Sequence, residues 1–189
     1  ANKHFLSTLK NQKPANPKIC EIIPHNTSMI FEIGISNAKS FVERKNIFLQ
    51  KNNAFYEWNK KKKTLLENFN FEMNEFLKYV DDEVGLFQID SKNKDEKNQK
   101  YAFIKSKDIS QSSIFLSELV GSENKSIYDE HTIVSCKEDQ LFPFLFGDIF
   151  GNSKTSFFVA IEDYLIFASN TASLKYIIDN LNSKNTLAN

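Results

Sequence analysis

A Ser-Asn-x-x-Ser pattern occurs twice in this chain, each time between an apolar strand-like run and a helix-like run. The first copy is ISNAKSF, residues 35–41, and the second is ASNTASL, residues 168–174. Asn and Ser start helices because their side-chain oxygens accept hydrogen bonds from the free N–H groups of a first turn. The pattern therefore predicts an internal repeat of two related strand-to-helix units, in which Ser36-Asn37 and Ser169-Asn170 cap the helices.

The serines of the two copies are also candidates for chemistry. A catalytic serine needs a general base, an orienting acid and an oxyanion site, and no such set accompanies both copies. Ser40 and Ser173 are therefore expected near the first turn of each helix, with structural roles. The residues that follow them, Phe41 and Leu174, are expected to be the first to face the core.

A long helical region follows the first copy. Phe41, Phe48 and Phe55 recur at intervals of seven, and apolar residues continue at helical spacing as far as Val80. Asn is common where a helix ends or the chain turns. The helical region is therefore expected to break near Asn52 and Asn53, and again over residues 68–70.

The remaining segments alternate between strand-like and helix-like patterns. The sequence predicts a hairpin of 83–90 and 100–108 around the charged loop 91–99, a helix over 110–121, a strand over 126–136, a buried turn or short helix over 141–151, two strands within 155–170 around Glu162-Asp163, and a helix over 171–181.

This order is β-α-β-β-α-β followed by β-β-α, which predicts an α+β fold with a mainly antiparallel sheet and helices packed on one face. The first six elements match a ferredoxin-like unit. The polar, proline-punctuated residues 1–28 are expected to form an irregular lead-in. Residues 29–189 are expected to form a single domain, or two intimately packed repeats of about 29–136 and 137–189.

The composition of the chain limits the classes of partner that it can bind. The chain has 189 residues, of which 41% are hydrophobic, and its formal net charge is zero, so no overall field attracts nucleic acid or an anionic membrane surface. The run Lys60 to Lys63 is expected to be a solvated helix face. No segment has the length and apolarity to span a membrane. Because the chain begins without Met, we expect it to be a fragment of a longer protein.

The cysteines and histidines form no recognisable metal motif. Cys20 and Cys136 are far apart in different contexts, which fits either one disulfide or two buried thiols. His4, His25 and His131 are too scattered for a ligand signature, although acidic residues adjoin His131. No metal-binding residue is predicted from these side chains.

Three carboxylates adjoin one another at Asp81, Asp82 and Glu83, where the helical region meets a strand. They could bind Ca²⁺, but the alternating ligand spacing of a calcium loop is absent, so a solvated turn is favoured. The five glycines form no phosphate-binding motif. The sequence therefore predicts no catalytic residue, no cofactor and no metal.

Two stretches carry a family resemblance. IIPHNTSMIFEIGISNAKSF (22–41) and SFFVAIEDYLIFASNTASLKYIIDNL (156–181) resemble a bacterial family of uncharacterised envelope proteins, in which a proline-led strand enters a helix and a later hairpin enters a short helix. The resemblance covers the two ends better than the middle. It implies an exported or membrane-anchored parent, an extracytoplasmic (periplasmic or cell-envelope) location and no known catalytic residues.

The favoured function is therefore a non-enzymatic interaction module of a larger envelope protein, whose partner is another domain of the parent chain or another envelope protein. This hypothesis predicts an exposed apolar patch or a free strand edge. One alternative is small-molecule or lipid binding in a Phe-rich cavity between the long helical region and the sheet. A second alternative is a hydrolase whose site is assembled by the fold.

Overall fold

The computed structural model describes residues 4–90, 99–119, 125–138, 140–151 and 155–189. Most of the predicted charged loop, residues 91–98, and the predicted end of the following helix at 120–121 lie outside the described residues. Seven strands form one sheet in the order β1-β2-β3-β7-β6-β5-β4, and every neighbouring pair is antiparallel. The strands are β1 Thr27–Gly34, β2 Val80–Ile89, β3 Gln99–Ser106, β4 Lys125–Tyr128, β5 His131–Ser135, β6 Phe157–Ile161 and β7 Tyr164–Ala168.

Within the described ranges six α-helices connect or flank these strands, and the predicted breaks in the long helical region are confirmed. Asn53 and Asn70 have φ angles of 57° and 54°, the left-handed conformation that ends a helix and that Asn tolerates well. The helices are α1 Ala38–Lys51, α2 Phe55–Phe69, α3 Met73–Tyr79, α4 Ile109–Glu118, α5 Leu141–Phe146 and α6 Thr171–Asn182.

The predicted α+β fold with a mainly antiparallel sheet is confirmed. The ferredoxin-like detail is not, because β1 and β2 are hydrogen-bonded neighbours, whereas a ferredoxin-like split unit leaves a strand between them. The chain between β1 and β2 contains three helices, α1 to α3, and returns directly to the adjacent position in the sheet.

Helices cover both faces of the sheet, which corrects the expectation of one covered face. Alternate residues of β7 belong to different cores: Leu165 and Phe167 pack beneath α1 to α5, while Tyr164 and Ile166 face the other way. That second core includes Leu174, Ile177 and Ile178 of α6. Every residue of β7 is buried as a result.

The segment 126–136, predicted to be one strand, is a hairpin of β4 and β5. Asp129 and Glu130 form its turn with φ angles of 44° and 65°. A two-residue turn with both φ angles positive matches the twist of the flanking strands but usually contains Gly or Asn, so these two acids gave no turn signal. Segment 141–151 adopts the helical alternative, as α5 followed by a 3-10 helix at Asp148–Phe150.

The two Ser-Asn joints have the predicted cap. Asn37 Oδ1 accepts a hydrogen bond of 2.9 Å from Ser40 N, and Asn170 Oδ1 accepts one of 2.8 Å from Ser173 N. The helices that they start nevertheless pack on opposite faces of the sheet. The likeness between the two joints is therefore a likeness of caps, and the structure does not support a wider repeat.

The lead-in contributes to the core. It contains 3-10 helices at Phe5–Leu9 and Ile19–Glu21, and Ile19, Ile22 and Ile23 are fully buried beside α6. Pro24 forms an isolated antiparallel bridge with Thr186, and Leu187 N donates a 3.0 Å hydrogen bond to Ile23 O. The N-terminal and C-terminal parts of the described chain therefore meet on the second face of the sheet.

Candidate functional site at the edge of strand β1

Strand β1 lies at one end of the sheet and, among the residues that the structure describes, pairs on one side only, with β2. Ile35 N donates a 3.0 Å hydrogen bond to Asp82 O, in the same register that pairs Ile33 with Val84. Along a strand of an antiparallel pair, the backbone N–H and C=O groups of one residue point toward the partner strand and those of the next residue point away from it. The backbone N–H and C=O groups of Ile30 and Glu32 therefore point outward, and nothing in the described ranges hydrogen-bonds to them.

The side chains at this edge are mostly apolar and partly exposed. Met29 is 44% exposed and Ile30 is 39% exposed, and as consecutive strand residues they lie on opposite faces of the sheet. Natural edge strands are usually blunted by lysine, proline or short length. Strand β1 has eight residues with neither lysine nor proline, whereas the opposite edge, β4, has four and begins with Lys125.

A buried carboxylate network fixes the sheet beside β1. Glu83 is fully buried on β2. Its Oε2 accepts hydrogen bonds from Tyr164 Oη at 2.7 Å and from Lys18 N at 3.0 Å, and its Oε1 accepts one from Lys105 Nζ at 2.9 Å. The network therefore ties β2, β3, β7 and the lead-in together around one charge.

The network shifts the pKa values of its members. Burial opposes the charged form of Lys105, but hydrogen bonds to Glu83 and Asp82 outweigh it and raise the Lys105 pKa above its usual range. Burial, and then the hydrogen bond to Glu83, raise the pKa of Tyr164. Burial, and then the charges of Glu83 and Asp82, raise the pKa of Glu32 on the edge strand itself.

The acidic run at residues 81–83 is not the solvated turn that the sequence favoured. All three residues lie in β2, and Lys105 Nζ is 3.9 Å from Asp81 Oδ2, 3.2 Å from Asp82 Oδ1 and 2.9 Å from Glu83 Oε1. An ammonium group therefore occupies the position among the carboxylates that a calcium ion would need. Sequence reasoning missed this partner because Lys105 is more than 20 residues away in the chain.

The histidines remain apart in the structure. His4 and His25 are exposed, and His131 begins β5 with its Nδ1 2.8 Å from Asp129 O. Across the part of the chain that the structure describes, no three His, Cys, Asp or Glu residues are arranged to hold a metal ion.

The cysteines are not joined by a disulfide, which supports the thiol alternative. Cys136 is buried after β5, and Cys20 is half-buried in the 3-10 helix of the lead-in. Burial, and then the charge of Glu32, raise the pKa of the Cys20 thiol. The thiolate is the reactive form of cysteine, so this environment makes Cys20 a poor nucleophile.

A second feature is a lysine buried on the apolar face of α1. Lys45 is 2% exposed, and its Nζ donates hydrogen bonds to Phe144 O and, at 2.7 Å, to Leu145 O near the end of α5. Trp58 Nε1 also donates to Phe144 O, at 3.1 Å. Burial lowers the pKa of Lys45 to about 7, with the charge of Asp148 opposing the shift.

A pocket of about 380 Å³ lies beside Lys45. It is formed by α1, α2, α5 and the first 3-10 helix, and so lies among helices rather than between the helical region and the sheet. Its lining is largely aromatic and includes Phe5, Phe48, Trp58 and Phe144. The spacing of Phe41, Lys45 and Phe48 places the lysine within an apolar stripe, a signal that could have identified it from sequence.

The fold and its edge define an α+β domain with one antiparallel sheet between two helical layers and an open strand at one side. No known protein family, curated protein or solved structure matches this chain. Within the described ranges, no helix combines the length and apolarity needed to cross a membrane.

Proposed function

We propose that this chain is a non-enzymatic interaction module of a larger bacterial envelope protein, and that its partner adds a strand to β1. The observation that supports this function is the unpaired outer edge of β1, where the backbone groups of Ile30 and Glu32 face outward. In strand addition, backbone hydrogen bonds supply affinity and alternate side chains supply specificity. The carboxylate network supports this role because it ties β2, the strand on which β1 is paired, to β3, β7 and the lead-in.

The side chains of β1 determine which residue types fit in the partner strand. Met29 and Ile30 offer apolar surface on the two faces of the sheet, so the partner strand carries apolar residues on both of its faces. Glu32 is the only charged residue of β1, and the charges of Glu83 and Asp82 already disfavour its ionised form. A basic residue opposite Glu32 would relieve this repulsion, and an acidic one would add to it.

The partner is another domain of the parent chain or another envelope protein. The envelope placement rests on the pattern of residues 22–41 and 156–181, which resembles that of a bacterial family of uncharacterised envelope proteins. An extended, partly apolar edge also needs protection from uncontrolled pairing, and a dedicated partner supplies it.

The test uses one proline substitution at each edge of the sheet. Ile30→Pro removes an N–H that faces away from β2, so the β1–β2 ladder keeps its hydrogen bonds. Ile127→Pro is the matched control on β4. Because Tyr128 and His131 flank a two-residue turn, they form the bonded pair and Ile127 faces outward; its side chain is 79% exposed.

Each tagged variant is incubated with an envelope extract, and retained proteins are identified by mass spectrometry. We expect a partner that binds the unmodified chain and the Ile127→Pro variant but not Ile30→Pro. Hydrogen exchange on the purified complex should show protection of the Ile30 and Glu32 amides. Equal retention by all three forms, or a complex without that protection, would refute strand addition at β1.

A further inference from the structure

Lys45 has an unused donor beside the aromatic pocket. A lysine ammonium group has three N–H donors. Two are directed to the carbonyls of Phe144 and Leu145, and the ammonium also lies 5.0 Å from the centre of the Trp58 ring and 5.6 Å from that of the Phe144 ring. Neither ring offers a lone pair, and the described part of the chain supplies no other hydrogen-bond acceptor for Lys45. The side chain is almost completely buried and lines the pocket. A buried N–H donor in the wall of a pocket that has only ring faces beside it is a position that a ligand acceptor can fill.

The pocket walls favour an aromatic body. Trp58 and Phe144 stack with ring centroids 5.6 Å apart and an interplanar angle of 23°, and Phe5 meets Phe48 edge to face at 6.0 Å. Trp58 is half-buried, so part of its ring remains open to the pocket. Aromatic walls with a few fixed polar groups are typical of sites for small molecules, and about 380 Å³ is within their usual size.

The surrounding charges limit the charge that a ligand can carry. From α2, Glu57 and Lys61 face the pocket, and Asp148 faces it from the 3-10 helix after α5. Lys61 is already paired with Glu138 at 2.9 Å. Lys45 is therefore the cation that is available to an anion, while Glu57 and Asp148 would repel a second negative charge. One carboxylate fits these conditions, and a phosphate dianion does not.

We propose that this pocket binds a small aromatic carboxylate, whose ring packs against Trp58 and Phe48 and whose carboxylate accepts the third hydrogen of Lys45. The site is distinct from the β1 edge and does not depend on the function proposed for it. It also places the Phe-rich binding cavity that the sequence suggested among α1, α2 and α5.

Trp58 is the only tryptophan in the chain, so its fluorescence reports on this pocket directly. The probe is 3-phenylpropionate, and 3-phenylpropanol is the uncharged control of similar shape. We expect saturable quenching or shift of Trp58 emission by the acid, with affinity about tenfold higher than that for the alcohol, because only the acid pairs with the ammonium.

Two variants locate the site. Lys45→Met should weaken binding of the acid by about tenfold or more while leaving the alcohol unaffected, whereas Lys63→Met, an exposed control on α2, should change neither. Ala54→Leu narrows the pocket from its rim without touching Lys45 and should weaken both ligands. This variant keeps the test decisive if Lys45→Met does not fold.

Affinity should also depend on pH. Only protonated Lys45 offers the ion pair, and its pKa of about 7 lies well above that of the ligand carboxyl. The affinity for the acid should therefore fall as the pH rises above 7 until it approaches the affinity for the alcohol, and the affinity for the alcohol should not change. Absence of saturation at about 10 mM acid, equal binding of acid and alcohol, or unchanged binding by both Lys45→Met and Ala54→Leu would overturn the proposal.

Discussion

Tyr164 donates a 2.7 Å hydrogen bond to the buried carboxylate of Glu83, although 81 residues separate them in the chain. Their strands are not neighbours, because β3 lies between β2 and β7. The contact therefore passes across a strand and connects the first half of the sheet to the second. It is one of three hydrogen bonds that make the burial of a carboxylate tolerable at this position.

Replacing Tyr164 with Phe should destabilise the protein. The substitution preserves the ring but removes a donor from a buried charge, which typically costs about 1–3 kcal/mol. Tyr128→Phe is the matched control, because Tyr128 Oη donates to the exposed Asp179 at 2.8 Å. Urea unfolding should show a lower free energy of unfolding for Tyr164→Phe and little change for Tyr128→Phe. Equal losses in the two variants would show that the buried hydrogen bond to Glu83 contributes no more stability than the exposed one to Asp179.

Glu32→Gln should stabilise the protein at neutral pH. The folded-state pKa of Glu32 is raised by burial and by Glu83 and Asp82, so the folded state holds this proton more tightly than the unfolded state. The ionisation of Glu32 therefore lowers the free energy of unfolding increasingly as pH rises above the unfolded pKa of about 4.5. Well below that pH this destabilising contribution of Glu32 vanishes. Thermal unfolding should show a gain from Glu32→Gln at pH 7 but not at pH 3. The exposed substitution Glu67→Gln should show no such difference.

The stability of the protein should rise with pH between about 7 and 10.5, the folded and unfolded pKa values of Lys45. In this window the unfolded state binds a proton that the folded state lacks. The free energy of unfolding therefore rises by at most about 1.4 kcal/mol per pH unit. Lys45→Met should remove this slope. The control is Lys78→Met, which should retain the slope because Lys78 is an exposed residue that pairs with Glu75. Chemical unfolding from pH 6.5 to 9.5 tests this, and an unchanged slope in Lys45→Met would contradict it.

The two Asn caps should contribute similar and additive stability. Asn37→Ala and Asn170→Ala should each cost about 1 kcal/mol, because each leaves an N–H of a first turn without its acceptor. The helices lie on opposite faces of the sheet, so the double variant should lose the sum. Asn37→Asp keeps the acceptor and serves as the control. Denaturant titration would contradict the prediction if that control lost as much stability as Asn37→Ala.

Features encoded by neighbouring residues were predictable from sequence. The breaks at Asn53 and Asn70 and the caps at Asn37 and Asn170 depend on side chains that act within three or four positions of themselves. The turn of β4 and β5 was not predictable in the same way, because Asp129 and Glu130 adopt a conformation that their residue types do not favour.

The burial of both faces of the sheet has a local signal in the sequence of β7. Strand β7 reads YLIFA, with no polar residue at alternate positions. Such a run is typical of a strand that is buried on both faces, whereas a one-sided sheet gives alternation. A helix pattern such as that of α6 indicates a buried stripe but not which face of the sheet it covers.

The candidate sites were harder to predict because their partners are distant in sequence. Glu83 reads as part of an acidic run until Lys105 and Tyr164 are seen around it. The open edge of β1 depends on the order of strands, and an apolar run such as SMIFEIG carries no information about that order.

The meeting of residues 19–23 with residues 174–187 has a consequence for synthesis. The ribosome synthesises a chain from its N-terminus to its C-terminus, so the sheet and the layer of α1 to α5 can assemble before α6 has been synthesised. Until α6 and Leu187 have emerged, the nascent protein presents Phe87, Phe103 and Ile166 to solvent and to chaperones. Residues 174–187, which are translated after residues 19–23, therefore complete the core to which those earlier residues belong.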